Sequence, residues 1–203
     1  MKKMTIILCL ILLLTGCVRA PQDTTTKPVI TTPGPQPSGT TNPGTVTDTD
    51  SVGILEDIWA LYEESDRFAV YGGAVEQAVS DAPGALDLTN SEEIISRYLL
   101  PEAQLEKVTE GASLVHMMNS NIFTAAVFTL SNGDDAEAVA RAWRDAIHQN
   151  RWICGQPEKL LMCRIGDSIL MAFGNGDAMT QFEAKTVESF PDGQKLYSEA
   201  IVG

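Results

Sequence analysis

The sequence predicts an α+β fold: an antiparallel sheet of about four to five strands built from two β-β-α units, with helices packed on it and an N-terminal helical segment. Three observations carry that expectation. Apolar residues recur at helical spacing where the globular part begins. An order of strand, strand, Asn-Gly-Asp and helix occurs twice in the second half. The strands are apolar on both faces, so they need cover on both.

Taken in order, Ile54, Leu55, Ile58, Trp59 and Tyr62 share one helical face and stop before Ser65-Asp66. Between Arg67 and Leu88, Gly72-Gly73 and Pro83-Gly84 interrupt any period, and no element is assigned there. Asn90 followed by Glu93 reads as a capping box opening a helix through Ile94, Ile95, Tyr98 and Leu99, ended by Pro101. Leu114–Met118 and Ile122–Leu130 then read as strands joined by Asn119-Ser120-Asn121. After Asn132-Gly133-Asp134 comes a helix through Ala136, Val139, Ala140, Trp143 and Ile147.

The pattern returns with strands Leu160–Ile165 and Ile169–Phe173 around Gly166-Asp167. Asn175-Gly176-Asp177 leads into a helix of Met179, Phe182, Val187 and Phe190. Pairing the two units places both helices on one face, with the N-terminal helices, or failing them a partner, as cover for the other. Lys195–Val202 supplies a fifth strand. In the two Asn-Gly turns, glycine is expected to supply a positive φ, and Asp134 and Asp177 to cap the helices, with Asp134 and Glu137 as a capping-box pair.

The first 16 residues read as a lipoprotein signal peptide. Lys2 and Lys3 precede the apolar run Ile6–Leu14, which is too short for a permanent span of roughly 20 residues. Leu14-Thr15-Gly16-Cys17 resembles the bacterial lipoprotein box. That resemblance implies diacylglycerol on the Cys17 sulfur, cleavage before it, and a chain held on the extracytoplasmic face of the cell membrane. At ~0.8 kcal/mol for each buried CH₂, two acyl chains hold a soluble domain almost without release.

Residues 17–51 form the lipidated cysteine and a tether. Between Val18 and Ser51 there are ten threonines and six of the ten prolines. Such a composition buries too little apolar surface to fold, and reaches ~100 Å when pulled straight. Residues 52–203 are expected to be a single globular α+β domain.

The chain has 14 Lys plus Arg against 27 Asp plus Glu; without Lys2 and Lys3 the count is 12 against 27, a net charge of −15. No basic cluster offsets it, which argues against nucleic acid as a partner. Cys9 leaves with the signal and Cys17 takes lipid, so Cys154 and Cys163 remain. They form either one disulfide closing a short loop or two buried thiols.

The hairpin Leu114–Leu130, the helix from Asp134, the Gly166-Asp167 hairpin and the lead-in Tyr98–Val108 together resemble an uncharacterised family of extracytoplasmic lipoproteins of Gram-positive gut bacteria, a domain of unknown function. The likeness covers roughly Ile94–Phe190. It implies lipoprotein status and an α+β fold, and no activity.

Sites of chemistry are few. The acidic turns lack the alternating ligands and closing Glu of a calcium loop. His116-Met117-Met118 beside Met162 and Met171 has the ligand types that suit copper, but only His116 and Met118 share a strand face and a methionine-packed sheet is far commoner, so no cofactor or metal is expected. A thiol enzyme would pair Cys154 with His148, six residues upstream. Asn150–Pro157, the crossover between the units, is the oddest segment: it reads first as a packed connection with Trp152 as its plug, and Arg151, Trp152 and Gln156 also make it a candidate binding loop. Walker, GxGxxG, HExxH, GxSxG and CxxC patterns are absent from the mature chain. The reading that follows is a membrane-anchored binding module, with a thiol or hydrolytic enzyme and a small-solute carrier as rivals.

Overall fold

Two of the predicted helices open on side-chain caps, one of them the Asn90 cap expected from the sequence. The Asp50 carboxylate accepts from Gly53 N at 2.7 Å and opens α1, Ser51–Ala60. The Asn90 side chain accepts from Glu93 N at 3.2 Å and opens α2, Ser91–Glu93, which widens into a π-helical turn over Ile94–Tyr98. The computed structural model describes residues 49–202. The signal peptide, Cys17 and most of the tether lie outside the described residues. At its far end the expected tether overlaps the domain, since Ser51 is already helical.

The strands are β1 Val70–Gly72, β2 Val79–Ser80, β3 Gly84–Ala85, β4 Val108–His116, β5 Phe123–Leu130, β6 Lys159–Ile165, β7 Ser168–Gly174 and β8 Gln194–Ala200. Short α3, Glu102–Leu105, precedes β4; α4, Ala136–Gln149, and α5, Gly176–Ser189, follow the two long hairpins. The fold is α+β and antiparallel as expected, but the sheet has eight strands rather than four or five, in the order β2-β1-β4-β5-β7-β6-β8, with β3 also on β4. The three additional strands are two or three residues long and come from the segment between Arg67 and Leu88, where alternation is too brief to read. β1 and β3 share one edge of β4, pairing Tyr71 with Val115 and Ala85 with Ala112. Gly72 and Gly84 meet where they converge: a Cβ on Gly72 would stand 2.4 Å from both Gly84 N and Ser113 O.

The two β-β-α units pair through β5 and β7, with Ala126 opposite Met171. Their helices do not share a face. α4 packs Val139, Ala140, Trp143 and Ile147 on Phe128, Met162 and Met171, together with Tyr98 from the π-turn. On the other face, α5 packs Met179 and Phe182 beside Ile54, Leu55 and Ile58 of α1, over Leu114, Ala125, Val127 and Leu170. The reason lies in the strands. Phe128 and Val127 point oppositely and are both fully buried, so each face needs a long helix, and ten-residue α1 covers only part of one.

The Asn-Gly turns also differ from expectation. Asn132 accepts from Asp134 N, and Asn175 accepts from Ala178 N, so the asparagines cap, and Asp134 and Asp177 do not. Among the described residues the positive-φ glycines are Gly73, Gly155 and Gly166; Gly133 and Gly176 are not among them. Those two glycines instead admit a carboxylate, since a Cβ would lie 2.0 Å from Asp167 Oδ1 in one and 2.7 Å from Glu158 Oε2 in the other.

Edge strand β8 is held from both sides. On the α4 side, Arg144 Nε donates to Glu199 Oε1 at 2.6 Å, and His148 Nε2 bonds the same oxygen at 2.8 Å. On the α5 side, Lys195 Nζ and Ser198 Oγ donate to Glu183 at 2.6 and 3.1 Å.

Candidate functional site

Between the π-turn, the β4–β5 loop and the α4–β6 crossover lies an open cleft of about 320 Å³. It sits at the end of the sheet where β4 finishes and β5 begins, on the α4 face. Its position follows from how Tyr98 is fixed. The Tyr98 hydroxyl donates to Ser113 Oγ at 2.9 Å, and its carbonyl accepts from Trp143 Nε1 at 2.7 Å. Burial pushes the Tyr98 phenol up to about 12, so it stays a donor. Leu99 then takes a left-handed φ of 59° and turns the chain away. The widened turn before it, a feature often found at functional sites, brings Ser96 and Arg97 to the cleft wall.

Arg97 is partly engaged. Its guanidinium donates to the Tyr71 hydroxyl and lies 3.7 Å from Glu93. Across the cleft, Arg151 is exposed and has no hydrogen-bond or ion-pair partner among the described residues. Trp152 forms part of the lining, its ring edge-on to Phe173 at 5.0 Å. Its Nε1 is buried without an acceptor.

The crossover is tied down at both ends. Asn121 Nδ2 donates to the carbonyls of Ile153 at 2.7 Å and Gly155 at 2.6 Å, while Gln156 Nε2 donates to Ile201 O at 2.8 Å. Between these ties Cys154 and Gly155 both have positive φ, 66° and 107°. Thr124 Oγ1 donates to Ser120 O at 2.8 Å and tightens the neighbouring loop. The lining holds two arginines and no aspartate or glutamate. That is unusual in a chain with 27 acidic residues.

Of the residues singled out from sequence, Arg151 and Trp152 line the cleft, and Gln156 serves to anchor the loop. Ser96, Arg97, Asn121 and Thr124 were not anticipated. Arg97 sits on a helix whose π-turn has no sequence signature here, and Asn121 reads locally as a turn residue.

The other constellations disperse. Cys154 and Cys163 are free thiols, Cys154 exposed and Cys163 buried on the face that α5 covers. Thus neither the disulfide nor the pair of buried thiols describes them. Burial pushes the Cys163 thiol up to about 11. His148 is committed to Glu199, and no hydrogen bond joins it to Cys154. Met162 and Met171 face each other across β6 and β7 under α4, whereas β4 ends at His116 and leaves Met118 83% exposed. His116 stacks on Phe68, and its Nδ1 accepts from Met118 N and Asn119 N. Among the described residues, no three His, Cys, Asp or Glu side chains cluster as a metal site, and no helix is long and apolar enough to cross a membrane.

Compared with family models, curated proteins and solved structures, the chain matches none. The likeness to extracytoplasmic lipoproteins therefore rests on the sequence features already given.

Proposed function

We propose that the protein is a lipoprotein tethered to the extracytoplasmic face of a bacterial cell membrane through Cys17. Its folded domain is a binding module that engages a protein or envelope component with the cleft end. One observation carries the choice of surface. Met118 and Ile153, 83% and 80% exposed, are the two most exposed large apolar side chains among the described residues, and both sit on the loops that Asn121 joins at the cleft. Apolar residues held in water beside an arginine and a tryptophan have the composition of an interface centre.

The rivals have less support. A thiol mechanism needs a base on Cys154, and His148 is bonded elsewhere. Solute capture beneath the N-terminal helix needs space, and Ile54, Leu55 and Ile58 are packed there at 1% exposure or less.

Two measurements test the proposal in the anchored full chain. A photo-crosslinker at Ile153 should give partner adducts, while the same group at exposed Val187 on α5 should give none; equal adducts, or none at 153, would overturn it. Radiolabelled palmitate should enter the parent chain and be lost, with membrane retention, in Cys17→Ala. For the thiol rival the discriminating rate is that of Cys154 modification. Faster labelling in the folded protein than in the urea-unfolded chain would favour the enzyme.

A further inference from the structure

We infer that the cleft binds the carboxylate of an apolar acid, with Arg151 as the principal anion ligand, Arg97 assisting, and Trp152 and Ile153 receiving the apolar body. This deepens the binding-module reading and rests on the cleft being its working surface. The charge argument comes first. At physiological salt, charges beyond about 8 Å are largely screened, so the chain's net −13 matters less to a bound group than the side chains that touch it. Those side chains include two arginines and no acid. Glu93 draws on Arg97 at 3.7 Å, which leaves Arg151 as the uncommitted cation.

Arginine's planar fork matches a carboxylate with two parallel hydrogen bonds, and Asn150 and Ser120 stand on the same walls as further polar groups. A second, independent feature is the indole of Trp152, whose Nε1 has no acceptor among the described residues. A buried donor normally has a partner, and an acceptor oxygen on a ligand is one that could supply it.

Size and surface then limit the ligand. About 320 Å³ is at the small end for ligand sites and suits one amino-acid-sized group. Leu99, Trp152 and Ile153, backed by the buried Val115 and Phe173, form an apolar part of the lining that a bare inorganic anion would leave unused. The carboxylate could belong to the C-terminal residue of a polypeptide or to a free organic acid; both present the same chemistry.

The test uses the full chain in detergent micelles, titrated by calorimetry with N-acetylphenylalanine, its neutral amide, 3-phenylpropionate and inorganic phosphate. An acid should bind at least about tenfold more tightly than the amide, and phosphate should not displace it. Arg151→Gln should weaken the acid about tenfold, leave the amide unchanged and leave the melting temperature unaltered; Arg151→Lys, which keeps charge without the fork, should fall between. Tighter binding of N-acetylphenylalanine than of 3-phenylpropionate assigns the site to chain ends, and the reverse order to free acids. Equal affinity for acid and amide, no binding of either acid, or unchanged acid affinity in Arg151→Gln would overturn the inference. Crosslinks from position 153 without acid binding would sink the carboxylate site and spare the interaction module; acid binding without crosslinks would do the opposite.

Discussion

At the residue scale, close approach decides more than conformation does. Gly72 stands where β1, β3 and β4 converge, and backbone atoms of Gly84 and Ser113 occupy the space of its missing Cβ at 2.4 Å. Neither neighbour is a flexible side chain that can step aside. Gly72→Ala should therefore destabilise the domain by about 2–4 kcal/mol in urea melts, within the range of overpacked sites. Asn121 poses the opposite case. Its two hydrogen bonds to the crossover are exposed, so Asn121→Ala should cost only about 1 kcal/mol globally. It should instead speed amide exchange and proteolysis across residues 151–156. Photo-crosslinking from Ile153 should then become less site-specific, because the loop is no longer held against its neighbour.

At the scale of elements, the sequence was most legible where a period runs long. The helices around Ile54, Val139 and Met179, the second hairpin, β5 and β8 stand where the apolar pattern puts them. By contrast β4, expected over Leu114–Met118, starts at Val108 and ends at His116, because Thr109, Glu110 and Gly111 hide its first half. Strands of two or three residues have no period to show, and β1, β2 and β3 are known only from what they pair with. The face taken by each helix was illegible for another reason: a strand apolar on both sides accepts a helix on either.

Capping gives a direct check, since Asn175 and not Asp177 bonds the first turn of α5. Asn175→Ala should cost about 1 kcal/mol, while Asp134→Ala, which removes only a charge near a helix start, should cost a few tenths. The clamp on β8 adds a dependence on pH. Hydrogen bonds from Arg144 hold the Glu199 carboxyl below the ordinary range, with His148 adding to the effect. A depressed carboxylate stabilises fully above its unfolded pKa and loses that contribution as pH falls through the folded one. Glu199→Gln should thus lower stability at neutral pH by roughly 1 kcal/mol, a screened pair's upper value, and flatten the acid limb of the stability curve.

For the whole molecule, two cores share one sheet, and Cys163 reports on one of them. It lies 4% exposed in the core that α1 and α5 cover, on the α5 side, with its thiol pushed up to about 11, so it should label only when that face opens. Cys154, exposed on the crossover, should label throughout, giving each experiment its own control. The ratio of the two rates should follow the stability changes above, including the loss in Gly72→Ala. The candidate site belongs to this scale as well. Arg151 and Trp152 stood out in the sequence because the segment between the units matched neither. Their companions Ser96 and Arg97, and Asn121 and Thr124, come from two other stretches that only the assembled sheet brings together with the crossover.

Ser51, at the start of α1, bonds Thr129 Oγ1 at 2.8 Å, and Thr129 in turn bonds Ser168 Oγ at 2.8 Å, at the end of β5 remote from the cleft and on the other face. From there α1 runs toward the aromatic group of Trp59, Tyr62, Phe68 and Phe123 near the opposite end of the strand. A load applied between Asp50 and a partner seated in the cleft would act along the helix axis. Ile54, Leu55, Ile58 and Trp59 would have to slide over the sheet together instead of peeling away singly. Under such a load this face of the domain would yield in shear, all of the α1 contacts at once.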